Sequence, residues 1–364
     1  MELSEFFWHN PSSPYRASAR ARNLLEDARG RLAERLGSSA EWLAFTGSAT
    51  EANHMLVQYL AAIASPGQGL IISPFEHPSV REPALRFWQD RVETGPLDSQ
   101  GQADMQALGD RLASGAIAAV CWMAASNESG AIFPWEALAR LCHQHGVLFV
   151  CDASQYLGKL QGGDWSLCDA ITVCAHKFGG PKGVGALRLG DQLSGFRSLL
   201  GGGQEKGRRA STENLPAIGA MMAALEDPGL LQWTVQAELR NAFEERIQAA
   251  IPGLKIIAQA SHRLPNTSYL LVPKGDNLRW VRLLDKKGLE VSVGSACSTG
   301  KAANSQVLAA LGYDADAHKR SLRISSGPTT TKGDWELLGD AFIEIHSMLE
   351  DESGGDGLTE VISI

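Results

Sequence analysis

Apolar runs recur along the first half of the chain, and each stops abruptly at small or polar residues. They cover Trp42 to Thr46, Gly69 to Ser73, a short stretch near Val92, Ala116 to Ala124, Val147 to Cys151, Ala170 to Cys174 and Val184 to Leu189. Nearly unbroken apolar runs of this length fit strands covered on both faces rather than half-exposed ones. The segments between them repeat their apolar residues at helical spacing. One helix, Ala17 to Leu36, places Leu24, Leu25, Ala28, Leu32 and Leu36 on one face and stops at Gly37. Further helices are predicted over 52–63, 79–89, 134–145 (with Pro134 in the first turn) and 216–225. Alternation of strand and helix from Trp42 to Leu189 predicts an α/β fold, with a mainly parallel sheet and right-handed crossovers.

The pattern changes at Asp227-Pro228-Gly229. A long helix over 231–251 leads into shorter strands at 255–257, 267–272, 290–293 and 321–325. These alternate with helices over 277–287, 305–311 and 335–349. The reading is a large domain over 1–229, a smaller C-terminal α+β domain over 230–350, and an acidic, glycine-rich tail over 351–364 expected to be disordered. A chain of 364 residues suits two cores better than one. No internal repeat is visible.

Composition narrows the class. The apolar fraction, 44%, is that of a globular protein, and the formal charge of -8 argues against an electrostatic nucleic-acid binder. The basic run Lys206-Gly207-Arg208-Arg209 is local, and fits either a phosphate site or a solvated turn. No stretch has the apolar length of a membrane span, and the acidic start Met1-Glu2-Leu3-Ser4-Glu5 lacks a signal core. Six scattered cysteines without a CxxC pair imply a reducing, cytoplasmic setting and no disulfide framework. Cys142, His143 and His145 at a helix end are read as packing or solvated groups, with no metal expected.

Ligands of open α/β sheets bind beyond the carboxyl ends of the strands, so the residues at those ends matter most. The run 42–46 leads into Gly47-Ser48-Ala49-Thr50-Glu51, where a helix N-terminus suits either a phosphate or an ordinary cap. The run 69–73 leads to Glu76-His77-Pro78, and the run 116–124 to Ser126-Asn127-Glu128-Ser129-Gly130. Asp152 ends another run, with Gln155 three residues on. There it is either a cap or a partner for a protonated ring nitrogen. The run 170–174 leads into Ala175-His176-Lys177-Phe178-Gly179-Gly180-Pro181-Lys182-Gly183. Lys177 is then a surface lysine in a turn or a cleft amine able to form a Schiff base. In the second domain, Gly294-Ser295-Ala296-Cys297-Ser298-Thr299-Gly300-Lys301 has little to pack and predicts a mobile, exposed loop. Cys297 on such a loop is either an incidental thiol or a nucleophile. Arg323 stands among apolar neighbours in Ser321-Leu322-Arg323-Ile324-Ser325, where its planar fork suits a carboxylate or phosphate.

Taken together these pieces resemble the NifS-type cysteine desulfurases, within the class V aminotransferase group of fold-type-I pyridoxal-phosphate enzymes. The matching segments are Asn10-Pro11-Ser12-Ser13, Ala49-Thr50-Glu51-Ala52-Asn53, Glu76-His77-Pro78, Asn127-Glu128, Asp152-Ala153-Ser154-Gln155, Ala175-His176-Lys177 through Gly185, Gly201-Gly202-Gly203-Gln204-Glu205, Arg263-Leu264-Pro265-Asn266-Thr267 and Gly294-Ser295-Ala296-Cys297. They occur in the family's order and cover nearly the whole chain.

The resemblance implies a large domain with a seven-stranded type of sheet and pyridoxal 5'-phosphate as cofactor. It implies that Lys177 binds the cofactor, that Asp152 pairs with its pyridine nitrogen, and that His77 stacks on the ring and moves protons. Gln155 would bond the ring hydroxyl, while Ala49, Thr50, Cys174 and His176 would surround the phosphate. Thr212 would reach the phosphate held by the neighbouring subunit of a homodimer. Asn127 and Arg323 would bind the carboxylate of L-cysteine, and Cys297 would take the sulfur as a persulfide while alanine leaves. The loop, with Val307-Leu308 after it, resembles the long-loop group that serves iron–sulfur scaffolds and thiolation acceptors.

The sequence also departs from the family. The Asp-Asn-Ala-Ala-Thr-Thr segment that normally precedes the Asn-Pro-Ser-Ser turn is absent. Cys174 replaces the usual serine, Ala210-Ser211-Thr212 replaces Ser-Gly-Thr, and Ser126 replaces the first residue of an Asn-Asn pair. A selenocysteine lyase or related lyase, which needs no cysteine nucleophile, and a non-catalytic accessory homologue remain the alternative readings.

Overall fold

The computed structural model describes residues 9–227, 230–294 and 305–354. The chain forms two compact units, 1–126 with 132–228, and 127–131 with 229–364. The five residues Asn127–Ala131, expected in the first domain, therefore belong with the second unit. Their contacts explain this: Leu264 donates its N–H to the Gly130 carbonyl at 2.7 Å, and Ala131 bridges to Arg263.

In the first unit the described elements run α1 (Arg16–Arg35), β1 (Leu43–Thr46), α2 (Ala49–Ile63), β2 (Gly69–Ile72), α3 (Pro78–Trp88), β3 (Val92–Thr94), α4 (Met105–Leu112), β4 (Ile117–Cys121), α5 (Trp135–Gln144), β5 (Leu148–Asp152), β6 (Ala170–Cys174), β7 (Gly185–Leu189) and α6 (Leu215–Glu226). The seven strands lie in the order β1-β7-β6-β5-β4-β2-β3. β7 pairs antiparallel with both neighbours, and the other pairings are parallel. Strands β1, β2, β4 and β6 are buried along nearly their whole length, as their unbroken apolar runs require. Leu56 and Leu60 of α2, Trp88 of α3, and Leu70, Cys121 and Leu187 of the sheet share one core. The Trp88 indole N–H reaches the Val57 carbonyl at 3.2 Å, so its burial leaves no donor unmet.

The second unit contains α7 (Leu230–Ala250), β8 (Lys255–Ile256), β9 (Thr267–Leu271), α8 (Asn277–Asp285), β10 (Ser292–Val293), α9 (Gln306–Ala310), α10 (Ala315–Lys319), β11 (Ser321–Ser325) and α11 (Lys332–Gly354). Its four strands form an antiparallel sheet in the order β10-β11-β9-β8. Phe243 and Ile247 from α7, Ile251 just after it, Phe342 and Ile345 from α11, Trp280, and the strand residues Leu270, Leu322 and Ile324 make its core.

Several elements depart from expectation, among them the unpredicted α10. Helix α2 starts at Ala49 rather than Ala52, because the Ser48 hydroxyl accepts the Glu51 N–H at 3.1 Å. Helix α4 is not among the expected helices, although Met105, Leu108 and Leu112 fall at helical spacing, Leu108 and Leu112 are buried, and Asp104 caps it. Helix α11 runs to Gly354, past the expected start of a disordered tail at Asp351. Its acidic end is neutralised by basic neighbours, since Lys274 pairs with Glu350 at 3.1 Å and Arg279 pairs with Glu352. Residues 355–364 lie outside the described residues.

Candidate active site

Strands β1, β2, β4, β5 and β6 point the same way, so their carboxyl ends share one edge of the sheet in the first unit. Asp152 closes β5 there and is buried. Its carboxylate accepts the Ser154 N–H at 2.9 Å and the Asn53 Nδ2 at 2.9 Å. An ionised carboxylate can accept about four hydrogen bonds, so capacity remains for a further donor such as a ring N–H.

Asn53 continues the network. Its Oδ1 accepts the buried Thr172 hydroxyl at 2.6 Å, and its Nδ2 also donates to Ser79 Oγ at 2.9 Å. Ser79 Oγ in turn lies 2.9 Å from His77 Nδ1, and the Ser79 N–H donates to the same nitrogen at 3.1 Å. His77 thus caps α3, with Pro78 at the first helical position, where no N–H is needed. Partial burial lowers the His77 pKa. The Asp152 charge opposes that shift and the Lys177 charge adds to it.

Lys177 stands in the 3-10 turn Ala175–Lys177 directly after β6, and its side chain is exposed, as is that of His176. Partial desolvation of its ring is the main cause lowering the His176 pKa, with the Lys177 and Lys182 charges adding to it. Gln155 follows Asp152 and accepts the Lys159 ammonium at 2.5 Å through Oε1. An ammonium only donates, so the amide oxygen is fixed toward Lys159 and the NH2 end of Gln155 remains to donate elsewhere.

The first turn of α2 supplies Ala49, which is buried, and Thr50, which is exposed. A helix N-terminus presents free N–H groups to an anion. Cys174 is the last residue of β6 and is paired in register with Gly185 of β7. A Cβ at Gly185 would stand 2.7 Å from the Ser48 carbonyl carbon and 2.9 Å from the Ala49 nitrogen, so glycine lets β7 approach this helix start. Burial, and then Asp152, pushes the Cys174 thiol up to about 11, and its sulfur lies 3.8 Å from His176 Nε2. Cys174 is therefore a neutral, weak donor at neutral pH.

The basic run at 206–209 is engaged by the protein itself. Arg209 donates to Glu51 at 2.6 Å, Lys206 reaches the Ala40 carbonyl at 3.3 Å, and Arg208 reaches the Glu41 carbonyl. Glu51 also accepts the Gly47 N–H at 2.9 Å, so Arg209 braces the turn before α2. Thr212 is exposed in the segment before α6, next to Ser211 at φ 100°.

Asn127 and Arg323 belong to the second unit. Leu322 and Ile324 turn into the core of that unit, while Arg323 between them is half-buried on the other face of β11. Its Nη1 donates to the Asn127 carbonyl at 3.2 Å and, more weakly, to that of Gly294 at 3.5 Å. Glu128 accepts the Ser305 hydroxyl at 2.6 Å and the Tyr269 hydroxyl at 3.4 Å. Burial raises its pKa, against those hydrogen bonds and the charge of Arg323. Cys297 lies outside the described residues. The five other cysteines are free and buried. His143 pairs with Asp169 at 3.0 Å, and no group of three metal-ligating side chains is found among the described residues.

Sequence reasoning missed Asn53, Ser79, Glu76, Lys159 and Glu128. Asn53 did carry a signal, since it is a polar residue among the apolar positions of α2. Ser79 reads as an ordinary first-turn serine, and Lys159 as a solvated one.

A mainly parallel sheet thus carries a lysine, an aspartate and a histidine at its carboxyl edge, an arrangement suited to an α/β enzyme. The class V aminotransferase model matches residues 3–338, and the chain belongs to that family. A curated cysteine desulfurase from Cereibacter sphaeroides is 35% identical over 347 residues, covering 90% of this chain and 86% of the relative. The cysteine desulfurase IscS of Dictyoglomus turgidum is 33% identical over 336 residues, covering 89% and 84%. Among solved structures, a NifS-like protein superposes with a TM-score of 0.86 at 28% identity, covering 95% of this chain and 94% of its own.

Proposed function

We propose that this chain is a pyridoxal-phosphate-dependent cysteine desulfurase, which removes sulfur from L-cysteine as a persulfide and releases alanine. The observation that carries this reading is the convergence of Lys177, Asp152 and His77 at one sheet edge of the first unit. The residues there fit the cofactor: an exposed amine, a buried carboxylate with acceptor capacity left, and a helix N-terminus that glycine lets a strand approach. When bound, the cofactor supplies an electron sink for the α-carbon of an amino acid.

The chain's own groups do the rest. Lys177 Nζ would hold the cofactor and, when free, take the proton from the substrate α-carbon. Asp152 would hold the proton of the ring nitrogen, and the NH2 of Gln155 would donate to the ring hydroxyl. His77 would lie against the ring and move a proton. Ala49, Thr50, Cys174 and His176 would hold the phosphate, and Thr212 of the partner subunit would join them in a homodimer. Arg323 and Asn127 hold the substrate carboxylate. The Cys297 thiolate attacks the substrate sulfur, so an S–S bond forms as the C–S bond breaks and its electron pair stays with carbon, which becomes alanine after protonation. The persulfide then passes to an acceptor such as an iron–sulfur scaffold or a thiolation protein.

The test reconstitutes the protein with pyridoxal phosphate, adds L-cysteine, and measures alanine and persulfide together. The expected first turnover gives equal amounts of both, and Cys297→Ala abolishes both while cofactor binding persists. Full turnover in Cys297→Ala favours a lyase of the selenocysteine type instead. Failure to bind the cofactor favours the accessory homologue.

A further inference from the structure

His77 is held by a backbone donor, and that decides which of its nitrogens carries the proton. The Ser79 N–H can only donate, so the Nδ1 it reaches at 3.1 Å is an acceptor. The neutral ring therefore has its proton on Nε2. The Ser79 hydroxyl is oriented the same way. Its oxygen already accepts from Asn53 Nδ2 at 2.9 Å, which leaves its proton for His77 Nδ1 at 2.9 Å.

The Asn53 amide is itself fixed in direction. Its NH2 must face the acceptor-only Asp152 carboxylate at 2.9 Å, and its oxygen accepts from the Thr172 hydroxyl at 2.6 Å. Asn53, Ser79 and Thr172 are 1%, 7% and 0% exposed, so water does not compete for these bonds.

We propose that Asn53 and Ser79 are positioning residues that couple the Asp152 carboxylate to His77 and hold the imidazole in its Nε2–H form, with Nδ1 closed to protons. His77 then meets the cofactor side of the site as a neutral proton donor through Nε2. This meaning for catalysis rests on the desulfurase reading. The tautomer and its coupling rest only on the geometry of the first unit. The charged groups acting on His77 are Asp152 at the end of β5 and Lys177 after β6. Changing Asn53 or Ser79 removes neither charge, although Asn53→Ala also takes one donor from Asp152.

The experiment is a long-range 15N–1H correlation on histidine-labelled, cofactor-free protein, followed as a function of pH. Wild type is expected to show Nδ1 as the unprotonated nitrogen. Ser79→Ala removes one of two donors to Nδ1, and should make His77 about tenfold easier to protonate, the scale of one net hydrogen bond. Asn53→Ala never touches His77, yet frees the Ser79 hydroxyl to turn away, and should act in the same direction. The double variant should add little to either single one, as members of one chain of bonds do. Ser79→Thr keeps the hydroxyl and should restore the wild-type titration. A purely structural role would leave the His77 titration unmoved. Such an unmoved titration, additive effects, or a proton found on Nδ1 in wild type would each overturn the proposal. Because no cofactor or substrate is present, a failed desulfurase assay does not affect this outcome.

Discussion

Glu76 shows how far one residue's surroundings can change its chemistry. It precedes His77 and is buried, with one oxygen accepting the Met123 N–H at 2.6 Å and the other without a hydrogen-bond partner. Burial, and then the charge of Asp152, raises its pKa well above the ordinary carboxylate range. The neutral acid avoids placing a second negative charge beside the carboxylate that the proposed site needs. The sign of the pH dependence follows. A raised native pKa means that the native state holds a proton the unfolded state has lost, so stability falls as pH rises from the unfolded value toward the native one. Glu76→Gln keeps an acceptor for Met123 and removes the titration. We expect the variant to match wild type in mildly acidic solution and to exceed its melting temperature by a few degrees in alkaline solution. Thermal melts across that range check this, and a difference independent of pH would show that Glu76 is already ionised.

At the scale of elements, β7 and α2 meet where glycine leaves no side chain. At Gly185 a Cβ would fall 2.7 Å from the Ser48 carbonyl carbon, 2.7 Å from the Val173 oxygen and 2.9 Å from the Ala49 nitrogen, all of them backbone atoms. None can swing aside, so Gly185→Ala must push the start of α2 away from the end of β6. The expected cost is about 1–3 kcal/mol of stability, as for other overpacked sites. Affinity for pyridoxal phosphate should also fall, by about tenfold, because the helix start proposed to hold the phosphate moves. Denaturant titration and cofactor titration measure the two effects, and an unchanged affinity with lost stability would separate α2 from the phosphate. The strand ends were legible because an apolar run marks a buried strand and the first polar residue marks its edge. Asp152, Lys177 and His77 were found that way. The Asn53–Ser79 connection was not legible, since it joins α2 to α3 through hydrogen bonds of 2.9 Å that leave no periodic trace. The run of α11 past Asp351 was hidden for a similar reason, because its acidic end is balanced by Lys274 and Arg279, far away in sequence.

For the whole molecule, the proposed homodimer makes a prediction that no single subunit can. Lys177 and Thr212 serve different sites if Thr212 reaches the cofactor held by the partner subunit. Lys177→Ala should then be inactive and Thr212→Ala weakened. A mixed dimer of the two variants should contain one site with both residues intact and one with neither. Random exchange of equal amounts makes about half of the dimers mixed, so about a quarter of all sites regain the wild-type pair. Alanine release from L-cysteine should rise on mixing toward about a quarter of the wild-type rate, beyond the average of the two parents. If Thr212 serves the site of its own subunit, each site in the mixed dimer keeps one defect and mixing recovers nothing. Size-exclusion chromatography of the two differently tagged variants verifies that exchange has taken place. A flat activity in a mixture with proven exchange would therefore reassign Thr212 to its own chain. In this chain Thr212 follows Ala210-Ser211 with Ser211 at φ 100°, a left-handed backbone that non-glycine residues rarely adopt. Ser211→Gly relaxes that turn and leaves Thr212 itself unchanged, so it should retain the mixing behaviour with little loss of rate.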